Sequence, residues 1–160
     1  LLRSYNLHFD EVEKIYFFST DNRINYRVLL TERKELVSDY PELDLRVIEL
    51  TFYPDREIKT VADPRIEATI THLLKDVFSK IENALLIVYD SSDGKHRARK
   101  ILFEKWFKRN TDSNLEKINF EIESVDVDIK GMFLFRKDHP QHDLVFNVVK
   151  ELKDEMQSYK

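Results

Sequence analysis

The run Ala84-Leu85-Leu86-Ile87-Val88-Tyr89 is apolar at every position. A strand wetted on one face alternates apolar with polar residues. An unbroken apolar run of this length therefore reads as a strand buried on both faces, in the interior of a sheet. Helical patterns flank it. Upstream, Asp63-Pro64 opens a helix: aspartate is a good N-cap, and proline at the first helical position has no hydrogen bond to lose. Ile66, Ile70, Leu73, Leu74, Val77, Phe78 and Ile81 then trace one apolar stripe, so this helix packs across a sheet. Downstream, the acids and serines from Asp90 to Asp93 form a polar turn, and a strongly basic helix runs from about Gly94 to Arg109.

The first third reads as strands. Tyr5, Leu7 and Phe9 alternate with polar neighbours, Ile15 to Phe18 is a β-branched and aromatic run, and Ile24, Tyr26, Val28 and Leu30 alternate again. Asp21-Asn22 is a tight-turn signal. After a charged segment ending at Pro41, Val47 to Tyr53 makes a further strand with Ile48, Leu50 and Phe52 on one face, giving an antiparallel meander. Beyond the basic helix, Ile118, Phe120 and Ile122 alternate with acids, and Met132 to Phe135 forms another strand after Lys130-Gly131. A last helix starts near Pro140, with Leu144 or Val145, Val148, Val149, Leu152 and Met156 buried. The expected fold is α+β: a largely antiparallel sheet of about six or seven strands with three helices packed on it, in the order β-rich meander, αβα, ββα.

At 160 residues, a single domain spanning 1–160 is expected. Such a chain buries roughly 70% of the surface its unfolded form exposes, so it needs no metal or disulfide to fold. Only two glycines and four prolines in a chain 42% hydrophobic and 35% charged mean ordered structure with short connections. The absence of cysteine removes disulfides, thiolate zinc sites, iron–sulfur clusters and cysteine nucleophiles, and fits a reducing cytoplasm. The longest apolar run falls far short of the ~18 residues of a membrane span, and no signal-peptide pattern opens the chain, so no membrane partner is expected. The chain starts Leu1-Leu2-Arg3 rather than with Met, which leaves the native N-terminus open, and the sequence does not give the oligomeric state.

Charge is unevenly distributed. Lys95, Arg97, Arg99, Lys100, Lys105, Lys108 and Arg109 stand against the single acid Glu104 in a chain of net charge −4, so the remainder is strongly acidic. Lys95, Arg97, Arg99 and Lys100 crowd the first turns of a helix, where the macrodipole repels each cation by about 0.3–1 kcal/mol. Two answers stand open. Asp90, Asp93 and a capping Ser91, Ser92 or Asp93 can offset the repulsion locally. Alternatively, an anion completes a cluster formed by Lys95, Arg97, Arg99 and Lys100.

Asp90 and Asp93 form a carboxylate pair of the kind that holds a divalent metal for phosphoryl chemistry. Aspartate nucleophiles of phosphotransferases have their second aspartate two residues on, however, and a Walker loop needs glycines this turn lacks. An Asx turn with a helix cap is the simpler reading. His139 and His142, beside Asp138 and Asp143, share metal-ligand spacing, but no third ligand is identifiable and helix-entry capping accounts for them better. Trp106, with Phe103 and Phe107, can be read as a platform for nucleic-acid bases. The better account is core, with Ala98, Ile101, Leu102 and Trp106 on one helix face. No cofactor-binding motif and no nucleophile elbow is present, so no cofactor is expected.

The stretch Asp63-Pro64-Arg65-Ile66 with Thr69-Ile70, the run Ile87 to Lys95, and Arg99, Leu102-Phe103 and Trp106-Phe107 resemble a bacterial, Bacteroidetes-type domain family of unknown function. That resemblance implies a cytoplasmic bacterial setting and carries no activity and no site residues. Two functions are consistent with these residues. One is a non-enzymatic interaction or accessory module whose basic helix face, 95–109, binds an acidic protein or nucleic acid. The other is an enzyme acting on a phosphate-containing or nucleic-acid substrate, with Asp90 and Asp93 as metal or acid/base groups and Lys95, Arg97 and Arg99 on the phosphate.

Overall fold

The computed structural model describes residues 3–57, 63–89, 96–110, 114–123, 126 and 128–158, and within 96–110 the side chains of 101 and 103–109. In chain order the elements are β1 (His8–Asp10), β2 (Ile15–Ser19), β3 (Asn25–Glu32), a 3₁₀ turn (Lys34–Leu36), β4 (Arg46–Pro54), α1 (Pro64–Phe78), β5 (Asn83–Tyr89), α2 (His96–Asn110), β6 (Leu115–Glu123), β7 (Asp128–Arg136) and α3 (His142–Ser158). The strands form one seven-stranded sheet in the order β1-β2-β3-β4-β5-β7-β6. Every neighbouring pair is antiparallel except β4 and β5. A parallel neighbour cannot be reached by a tight turn, and α1 supplies the crossover between them. Strand β5 lies between β4 and β7, in the sheet interior that its two-faced apolar sequence demands.

Alternation along the strands divides the core between two faces. On the first, Val28, Leu50, Leu85, Ile87, Met132 and Leu134 meet Ile70, Leu73 and Val77 of α1 and Phe103 and Trp106 of α2. On the second, Val47, Leu86, Phe133 and Phe135 meet Val145, Val148, Val149 and Leu152 of α3. The charged segment before β4 also closes this second face: Leu43 and Leu45 are buried in it, with Leu36, Val37 and Tyr40 packed alongside. Gln141 fastens that segment to the start of α3, accepting a hydrogen bond from the Asp44 amide at 2.9 Å and donating to the Glu42 carbonyl at 2.9 Å.

Helix α1 begins as its sequence requires. The Asp63 carboxylate accepts from the Arg65 amide at 2.9 Å, with Pro64 in the first turn. The same carboxylate accepts the Tyr5 hydroxyl at 2.6 Å, and the Tyr5 amide donates to Thr69 Oγ1 at 2.8 Å. These bonds draw Tyr5 out of strand pairing, so β1 starts only at His8, later than the alternation from Tyr5 suggests. The α1 stripe also ends earlier than its pattern. Ile81 lies in the turn after the helix, which closes at Phe78 as the Asn83 side chain donates to the Val77 carbonyl at 2.7 Å.

Gly131 corrects a third expectation. It lies in the middle of β7, opposite Phe120 of β6, rather than ahead of the strand. A Cβ there would collide with the Phe120 ring and stand 2.6 Å from the Ile87 carbonyl oxygen. Glycine here permits close approach within a strand and is not a turn signal.

Candidate functional site

The two parallel strands part at their carboxyl ends. Their ladder runs from Arg46↔Asn83 to Leu50↔Ile87 and stops, although β4 continues to Pro54 and β5 to Tyr89. Beyond that point each strand stays paired on its outer side, Phe52 with Val28 of β3 and Tyr89 with Lys130 of β7. A notch is left between 51–54 and 88–89. Its cause is visible on the first face: the Phe103 ring sits between Phe52 of one strand and Tyr89 of the other, with centroids 5.7 and 5.8 Å away. Burial pushes the Tyr89 hydroxyl pKa up, with Glu104 adding to the shift. That hydroxyl has no hydrogen-bond partner among the described residues. Both α1 and α2 follow in sequence from the strand ends that form the notch.

Asp90, Asp93 and Lys95 lie outside the described residues, as do the side chains of Arg97, Arg99 and Lys100, whose backbone forms the first turns of α2. The rest of α2 has two distinct faces. Phe103 and Trp106 are buried. Lys105, Lys108 and Arg109 are exposed with Ile101, which is 54% exposed and so lies outside the core face expected for it. Arg109 reaches Glu67 of α1 at 3.2 Å, whereas Lys105 and Lys108 have no carboxylate partner among the described residues. The charged outer row takes Ile101 with it, because the aromatic trio turns the 103–106–107 side inward instead.

Trp106 is 6% exposed and packs on Phe52 and Phe103, with centroids at 5.9 and 5.0 Å. It fills the core, so it offers no base-stacking platform. The two histidines diverge as well. His139 is buried: its Nδ1 accepts from the Gln141 amide at 2.9 Å, and its Nε2 donates to the Asp44 carbonyl at 2.8 Å, a pattern that requires the neutral Nε2–H tautomer. His142 instead bonds the Glu116 carboxylate of β6, which raises its pKa against a smaller opposing effect of burial. Asp138 is held by Arg136 at 2.8 and 2.6 Å. No cluster of metal-ligating side chains occurs among the described residues.

A cavity of about 320 Å³ lies at the opposite end of the α1–α2 layer, where α1 and β7 finish and β6 begins. Apolar side chains from both helices and the sheet line it, and Lys75 and Arg136 are among its polar residues. Nothing in the sequence marks this cavity. Its lining residues read as ordinary members of core stripes, and the void depends on where α2 crosses the sheet.

No helix among the described residues is long and apolar enough to cross a membrane. Comparison with curated proteins finds no match. Among solved structures, a CoA-dependent acyl-homoserine lactone synthase, MesI, is similar at 15% identity over 100% of this chain and 78% of that one, with a TM-score of 0.38. A likeness that distant transfers neither site nor activity. Residues 62–151, more than half of the chain, match the family described as Family of unknown function (DUF6169), and the chain belongs to that family.

Proposed function

We propose that the protein binds a phosphate-containing ligand at the notch between β4 and β5, with Lys95, Arg97, Arg99 and Lys100 on the anion. The observation that carries this reading is the early end of the β4–β5 ladder at Leu50↔Ile87. Ligands of open sheets collect outside the carboxyl ends of parallel strands, and the only parallel pair among the described strands ends here. The parted strands turn main-chain edges toward each other, a surface suited to the amide or hydroxyl groups of an extended ligand. The basic sequence at the start of α2 suits its phosphate, where the helix end adds its own positive field. Asp90 and Asp93 serve in this reading as turn and cap residues, and no metal is required. A bacterial cytoplasmic setting rests on the family resemblance and on the absence of cysteine.

The test is thermal unfolding with pyrophosphate or adenine nucleotides at millimolar concentration. Pyrophosphate should raise the melting temperature through linkage, without Mg²⁺, and the Arg97→Glu/Arg99→Glu variant should lose the shift. A parent protein indifferent to every phosphate compound would overturn the reading. A Mg²⁺-dependent shift abolished by Asp90→Asn would replace it with the metal-assisted enzyme.

A separate observation favours a second reading, an interaction module for an acidic protein. Ile101, Lys105 and Lys108 recur at helical spacing on the exposed side of α2, and the two lysines lack carboxylate partners among the described residues. With Trp106 buried, an acidic peptide suits this face better than exposed bases. Salt-sensitive binding of a labelled polyglutamate peptide, lost in Lys105→Glu/Lys108→Glu and not reproduced by single-stranded DNA, is the expected result. Equal binding by the charge-reversed variant would remove the idea.

A further inference from the structure

The cavity where α1 and β7 finish shares Phe103 and Ile87 with the notch but none of the basic residues proposed for its phosphate, and the inference drawn from it rests on neither function above. Its walls include Leu74 and Phe78 of α1, Phe107 of α2 and Leu134 of β7. Its volume of about 320 Å³ falls within the range of small-ligand sites. Among the described residues no carboxylate lines it, so these walls offer a cation or zwitterion no counter-charge. Two cations line it among the described residues, Arg136 and Lys75, and they differ in their partners. Arg136 spends its guanidinium on Asp138 at 2.8 and 2.6 Å and on the Phe78 carbonyl at 3.1 Å. Lys75, exposed in the last turn of α1, makes no hydrogen bond or ion pair among the described residues. An apolar chamber with a single unspent ammonium at its rim matches an apolar chain ending in one negative charge.

We propose that this cavity binds a linear medium-chain monocarboxylate, with the alkyl chain against Leu74, Phe78, Phe107 and Leu134 and the carboxylate on Lys75 Nζ. Trp106 also lines the cavity and is the protein's single tryptophan, so its emission reports occupancy directly.

Octanoate is the probe, titrated against Trp106 fluorescence and by calorimetry on the intact chain. Saturable binding is expected, with octanol and octyltrimethylammonium much weaker. Lys75→Met keeps the length of the side chain at an exposed position and removes its charge, so it should weaken octanoate about tenfold while leaving octanol unchanged. Leu74→Phe, checked for folding by circular dichroism, should weaken both by filling the chamber. Absence of saturable octanoate binding would overturn the proposal, as would a Lys75→Met protein that binds octanoate as well as the parent or an equal affinity for octyltrimethylammonium. None of these outcomes depends on phosphate binding at the notch, which the Arg97/Arg99 variant reads separately.

Discussion

The two faces of the sheet are built differently. Against α3, Val145, Val148, Val149 and Leu152 pack on Phe133 and Phe135, and Gly131 lets the Phe120 ring lie directly on its backbone. Against α1 and α2 the filling holds more aromatic rings, among the aliphatic side chains of Val28, Leu50, Ile70 and Leu85. Rings follow one another from Tyr5 through Phe18, Tyr26 and Phe52 to Trp106 and Phe103 at centroid distances between 5.0 and 5.9 Å. Large flat side chains span wide gaps but do not conform to small ones. That face consequently carries both the notch, wedged by Phe103, and the cavity below it. Close aliphatic packing serves stability, and the less conforming face is where ligands find room.

The largest expected effects test whether both faces carry the fold. Trp106→Ala and Phe133→Ala should each lower stability by about 3–5 kcal/mol in urea unfolding, the range for truncating a buried large aromatic. Trp106 emission should also be unmoved by added oligonucleotide, because the indole is internal. A Trp106→Ala protein as stable as the parent would break the equivalence of the two faces and return that residue to a surface role.

Gly131→Ala probes a tight contact in the α3 face. A methyl there must displace either the Phe120 ring or the backbone near Ile87, so a loss of about 1–3 kcal/mol is expected. Neutral behaviour would mean that this face gives way as readily as the other.

A paired truncation sharpens the comparison further. Leu152→Ala removes a side chain from the closed α3 face and should cost about 2–5 kcal/mol, and Leu74→Ala, which only enlarges an existing cavity, should cost less. Equal losses would show that the cavity wall is as well packed as the opposite core.

The smallest effect is a pH dependence confined to the α3 side. Glu116 holds the His142 pKa above its ordinary value of 6.5, so the folded protein binds that proton more tightly than the unfolded chain does. The stabilisation is complete below about pH 6.5 and disappears as pH rises through the folded value. Denaturation curves across that interval should show a decline in stability that Glu116→Gln flattens. A decline of the same size in the variant would assign it to another group.

Much of this architecture was legible because it follows from local chemistry. The Asp63 cap and Pro64 start α1 where the chain says they should, and the apolar stripes of α1 and α3 bury Ile70, Leu73, Val77, Val145, Val148, Val149 and Leu152. Expectations failed where a distant partner intervened. Tyr5 leaves the sheet for Asp63 and Thr69, Gly131 sits in a strand because Phe120 covers it, and Ile101 faces outward because Phe103 is claimed by Phe52 and Tyr89. Of the candidate site, the strand ending at Tyr89 and the helix that follows it were legible, and the notch and the cavity were not.

Local sequence was enough for the order of the elements, the Asp63 cap of α1, the apolar stripes of α1 and α3, the interior position of β5 and the concentration of positive charge in α2. Each of these depends on residues within a few positions of one another, through backbone preference, periodicity or charge count. The end of the β4–β5 ladder, the place of Lys75 beside an apolar cavity and the different partners of His139 and His142 came from packing between distant parts of the chain. Those outcomes depend on the sizes of side chains that meet from distant parts of the chain, and periodicity carries no information about whether two such surfaces fit or leave a gap.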